Sequence, residues 1–204
     1  MKNKTNIRRM TQLALLLALL LVMNYTPLGY LPIGPLSLSL LTIPVAIGAM
    51  VLGPGAGAFL GAAFGATSFL SAMEGKSAMG AALFAASPAR SFVVCVVARI
   101  LCGLLAGLLY RGVTKLLPGK TKTCCLIGGV ATPVLNTIFF MGFLVALYYD
   151  NAFVQGLVTK LGASNPFMFV VLLVGVQGLV EAAVCCLVAA AVTVPVLRYT
   201  QKGK

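Results

Sequence analysis

Apolar residues run through this 204-residue chain in six long stretches, separated by short segments rich in proline, glycine or charge. The pattern predicts membrane-spanning helices over about residues 9–25, 36–52, 55–72, 89–110, 124–149 and 166–195. The second stretch, Leu36 to Leu52, is about 26 Å long as a helix, just enough for the hydrocarbon core. Before it, Thr26–Pro35 (TPLGYLPIGP) holds three prolines and two glycines, so a loop or re-entrant cap is expected there. Gly53-Pro54-Gly55 reads as a tight turn between the second and third spans. A second outer loop opens at Glu74 and Lys76 and ends near Pro88. A third holds Asp150, Asn151 and Lys160. The expected fold class is all-α, a six-helix transmembrane bundle that forms one integral membrane domain over residues 1–204.

Charge fixes the expected orientation. Lys2, Lys4, Arg8 and Arg9 precede the first span, Arg111, Lys115, Lys120 and Lys122 fill the middle connection, and Arg198, Lys202 and Lys204 close the chain. Eleven of the fifteen Lys and Arg thus fall on one side, which the positive-inside rule makes cytoplasmic along with the N- and C-termini. The net charge of +12 is therefore a topology signal, and no nucleic-acid partner is expected. Composition agrees: 60% of residues are hydrophobic and only 9% charged, against about a quarter charged in a soluble domain. The basic start and Leu-rich first run resemble a secretory signal, but no small-residue cleavage site follows, so a retained first helix is expected.

The inventory also excludes chemistry. There is no His and no Trp. Ser-His-Asp and Cys-His catalysis and His-based metal sites are ruled out, and three acids are poor material for acid–base work. The six cysteines form no C-x-x-C pair and read as small packing residues. No catalytic residue, metal or cofactor is expected. No phosphate-binding G-x-x-x-x-G-K-[ST] loop occurs, so ATP-driven work must be done by a partner.

Several residues stand out against this background. All three expected outer connections run to ten residues or more, while one inner connection is only a turn, which points to a pocket open to the outside. Arg99, Asn136 and Glu181 sit at comparable depths in the fourth, fifth and sixth spans, with Gln177 one turn from Glu181 on the same face. A charge at mid-bilayer costs about 2.5–3.5 kcal/mol on insertion scales, so these groups either line a polar pocket or, for Arg99 and Glu181, form an ion pair between helices. Pro133 loosens the backbone near Asn136. Arg90 begins the fourth span at the outer face, where it could clamp a carboxylate or snorkel to headgroups. It lies nine residues from Arg99, on the opposite helix face. Gly53, Gly57, Gly61 and Gly65 make a smooth ridge along the third span, suited to packing on its neighbour across the turn or on an outside partner, the former preferred. Ala14 and Ala18 form a smaller close-packing face on the first span.

These features resemble the substrate-binding S component of energy-coupling-factor (ECF) vitamin transporters. The resemblance covers essentially the whole chain. Its most specific stretch is Ile43-Pro44-Val45-Ala46-Ile47-Gly48, then Leu52-Gly53-Pro54 and Gly57-Ala58-Phe59-Leu60-Gly61, which looks like the pantothenate-type subgroup. Asn136-Thr137 and Glu181 also look like family positions. The resemblance implies a vitamin-capture subunit in the bacterial cytoplasmic membrane, with a transmembrane coupling subunit and two ATPase subunits as partners. It implies that Ala14 and Ala18 contact the coupling subunit. Pantothenate is the first expectation: its carboxylate suits Arg90, and its amide and hydroxyls suit Asn136, Gln177 and Glu181. Another vitamin (a thiamin precursor, a pyridoxine-like compound or riboflavin) is the alternative, as is a stand-alone secondary transporter, which would usually carry an internal repeat not evident here.

Overall fold

Inside a bilayer only a segment's own i to i−4 bonds can satisfy its backbone, so apolar runs of this length fold as helices. The computed structural model describes residues 2–26, 29–33 and 36–202. Pro27, Pro35 and Lys204, and the side chains of Lys2, Lys4 and Lys202, lie outside the described residues. Eight helices are present among the described residues: α1 (Lys2–Tyr25), α2 (Thr42–Val51), α3 (Pro54–Met73), α4 (Ala78–Ala86), α5 (Pro88–Leu116), α6 (Thr121–Tyr148), α7 (Ala152–Leu161) and α8 (Pro166–Lys202). Five of them, α1, α3, α5, α6 and α8, are long and apolar enough to cross a membrane.

The expected second span is corrected. Residues 36–39 are not helical; they form strand β2 (Leu36–Ser39), paired antiparallel with β1 (Tyr30–Ile33) in the register Tyr30 opposite Ser39. The sequence Leu36-Ser37-Leu38-Ser39 alternates with period two, which is a strand pattern. What remains, α2, has 10 residues and a length of about 15 Å, half the hydrocarbon thickness. Thr42 through Met50 are all buried, so α2 is a core helix ringed by the others.

The outer connections also differ from expectation, because two of them contain short capped helices. Ser77 Oγ accepts the Gly80 N–H at 3.0 Å and starts α4, and Asn151 Oδ1 accepts the Phe153 N–H at 2.9 Å and starts α7. Ser87 interrupts the next segment in extended conformation and caps α5 in turn.

The glycine ridge of α3 packs chiefly on α5. A methyl at Gly57 would strike the Gly103 carbonyl, at Gly61 the Arg99 carbonyl, and at Gly65 the Val96 Cα and Cys95 carbonyl. Gly57 also abuts the Ala49 side chain of α2, so the ridge serves both neighbours. Gly53, at φ 97°, turns the chain into Pro54, the first residue of α3. Because these contacts are backbone on backbone, Gly61→Val should destabilise the bundle by about 1–3 kcal/mol or more. A thermal unfolding midpoint unchanged from wild type would refute that packing.

On the other side of the bundle, α6 packs along α8. Gly129 lies against the Cys186 backbone, one turn before Pro133. All six cysteines are free, and all but Cys186 are buried.

Candidate functional site

Where α3, α5, α6 and α8 draw apart around the start of α2, they leave a cavity of about 300 Å³. The hairpin contributes Tyr30 and Ser39 to its wall, the end of α1 contributes Asn24, and α4 contributes Met79 and Leu83. Arg99, Asn136, Gln177 and Glu181, predicted separately on three spans, all line this one space. Each is buried, Arg99 to 7% exposure and Glu181 to 5%.

The two opposite charges do not pair. Among the described residues the one ion pair is Lys76 with Glu74, at 2.6 Å. Arg99 instead donates from Nη1 to the Val94 carbonyl at 2.7 Å, and its guanidinium lies 4.4 Å from the Phe140 ring centroid and 5.1 Å from that of Phe64. Glu181 accepts a hydrogen bond from Thr42 Oγ1 at 3.2 Å and another from the Ser39 backbone. Glu181 thus ties the middle of α8 to the junction of hairpin and α2.

Besides Tyr30 Oη, which faces Ser68 in the wall, six buried side-chain polar atoms lack a hydrogen-bond partner among the described residues, and four of them belong to residues of this cavity: Asn24 Oδ1, Ser39 Oγ, Arg99 Nε and Asn136 Oδ1. An unsatisfied buried polar atom costs about 1–3 kcal/mol, so most folds pair such groups. Their concentration around one cavity gives that space a polar wall, with a guanidinium at Arg99 and a carboxyl group at Glu181.

Lys76 stands at the cavity's rim, half exposed, with Nζ 5.6 Å above the Tyr25 ring. The hydrogen bond to Glu74 raises its pKa, so it is a cation at neutral pH. It joins the end of α1 to the α3–α4 connection across the rim.

Arg90 is elsewhere. It borders a separate crevice of about 350 Å³ with Ser87 and residues 145–151, and its Nη1 donates to the Leu147 carbonyl at 3.3 Å. It does not line the central cavity. Arg90 and the four cavity residues expected to act with it thus do not share one space, and the arginine that faces the cavity's interior is Arg99.

Sequence reasoning missed Tyr30, Ser39, Asn24, Phe140 and Lys76. Ser39 had a legible signal in the Leu-Ser alternation, and Lys76 was noted only as a loop charge. Nothing in the local sequence of Tyr30 or Asn24 separates a wall residue from a connecting one. Ala14 and Ala18 are exposed on the outer face of α1, the least buried of the spanning helices. No group of three or more His, Cys, Asp or Glu gathers among the described residues.

With this geometry established, comparison with known proteins gives two results. A family model described as "ECF transporter, substrate-specific component" matches residues 8–193, nearly the whole chain. No curated protein matches.

Proposed function

The chain belongs to the substrate-specific components of ECF transporters, and from that premise we propose that it captures a small carboxylate-bearing vitamin, pantothenate first, from outside the cell. Membership makes it a multi-pass membrane protein and a substrate-binding subunit of a transporter rather than an enzyme. The observation that carries the finer reading is the cluster of unpartnered polar atoms around one cavity whose charged residues, Arg99 and Glu181, are buried apart from each other. A cavity of about 300 Å³ is at the small end of ligand sites and suits a single-chain vitamin. Arg99 Nε and the free edge of its guanidinium would take the carboxylate. Asn136, Gln177 and Glu181 would meet amide and hydroxyl groups. Phe140 and Val174 would cover the apolar carbons.

With the basic clusters on the cytoplasmic side, both termini would lie inside and the cavity's rim would open outside. Energy would come from a transmembrane coupling subunit with two ATPase subunits, docked on the Ala14/Ala18 face of α1. The test of the ligand is direct. Purified protein is titrated with pantothenate, riboflavin, a thiamin precursor and pyridoxine, and pantothenate is expected to bind with the highest affinity. Preference for a vitamin that lacks a carboxylate would remove the pantothenate reading, and binding of none would remove vitamin capture.

A further inference from the structure

One segment of the described chain leaves α geometry inside a span. Val93–Val97 forms a π-helical turn within α5, directly before the turn that carries Arg99. A π turn accommodates one extra residue and displaces the carbonyls on its face from their α partners; such turns concentrate at functional sites. Here the Val94 carbonyl is the acceptor for Arg99 Nη1, five residues on.

The glycine ridge explains how the turn is held. Gly65 has no room for a methyl because the Val96 Cα and Cys95 carbonyl occupy it, and Gly61 lies flush on the Arg99 carbonyl. Between these glycines in sequence stands Phe64, 2% exposed, with its ring against the Arg99 guanidinium. Phe64 does not line the cavity, so it touches Arg99 without facing a ligand.

We propose that the π turn, Gly65 and Phe64 form a mount that fixes Arg99 in the cavity wall, making Phe64 and Gly65 positioning residues that set the preference for a carboxylate over a neutral ligand. This rests on the reading of the cavity as a carboxylate–vitamin site. Arginine carries large rotamer entropy, and a guanidinium ordered before binding has less of it to lose when the anion arrives. The Val94 carbonyl holds one nitrogen and the Phe64 ring one flank, while Nε stays unpartnered in the wall.

The test is a double-mutant cycle on the purified full chain, with pantothenate and its neutral alcohol analogue as probes. Phe64→Leu keeps an apolar side chain but removes the ring. It should weaken pantothenate binding up to about tenfold, because the guanidinium must then be ordered as the anion binds, and leave the alcohol nearly unchanged. In an Arg99→Gln background the same substitution should have no further effect. Equal losses for both probes, or additive losses in the double mutant, would overturn the mount and leave Phe64 as ordinary core. Should Phe64→Leu fail to fold, Phe64→Met, which keeps a longer apolar side chain but no ring, is read by the same two criteria. A wild-type protein that binds neither probe overturns the vitamin reading and this inference with it.

Discussion

Arg99→Gln should cost roughly one to two orders of magnitude in affinity for pantothenate, because a hydrogen bond to a charged group contributes about 1.5–3 kcal/mol. Glutamine keeps a polar side chain of similar reach but loses the charge and the paired donors. The neutral alcohol analogue should lose far less, since it never used the charge. That contrast separates recognition from architecture. Arg99 is bonded to the Val94 carbonyl and packed near two aromatic rings, so a purely structural arginine would damage both ligands alike. Equal losses, measured by titration of purified protein, would assign Arg99 to the scaffold and move carboxylate recognition elsewhere. Arg90→Gln is the control, because its side chain serves a different crevice; its effect on binding should be slight.

The second large effect concerns coupling. Replacing both Ala14 and Ala18 by phenylalanine should abolish ATP-driven uptake in cells while vitamin binding to the isolated subunit stays intact. The two alanines are exposed, so larger side chains meet no internal neighbour and the fold should tolerate them. Between two helices in lipid, however, small residues set how closely backbones approach. Uptake that persists in the double variant would show that the coupling subunit docks on another face. Binding that falls together with uptake would show that α1 shapes the cavity through more than its last turn.

Much of this architecture is legible in the chain because lipid is an unforgiving solvent. Five of the six expected spans coincide with spanning helices to within a few residues at most ends, since long apolar runs have no other stable form there. The Leu36–Leu52 stretch failed for an instructive reason. Its hydropathy is that of a span, but its first residues alternate and its last ones are packed on all sides. Average hydrophobicity cannot distinguish a helix facing lipid from one facing other helices. The site was half legible. Arg99, Asn136, Gln177 and Glu181 stood out because polar groups are rare at that depth, and depth alone brought them together. Arg90 was drawn in by its charge, although its place at the end of a span left it free to serve a different crevice. Tyr30 was invisible because it sits in a connection, and Asn24 because it closes a span, two places where polar residues are ordinary; Ser39 was legible only through the Leu-Ser alternation. Phe64 was invisible because an apolar side chain in an apolar helix announces nothing.

The shortness of α2 has a consequence for what surrounds the charges at mid-span. Its first turn meets Glu181, which lies about 22 Å along α8 from Pro166, well away from either end. The upper part of that crossing is a ribbon of two four-residue strands, and lipid-facing sheet edges do not survive in hydrocarbon. Such a ribbon is tolerated at that depth only where protein buries it or where it lines a cavity, and this one lends Tyr30 and Ser39 to the cavity wall. By withholding half a helix the protein sets Arg99 and Glu181 against a polar cavity at mid-span instead of against lipid.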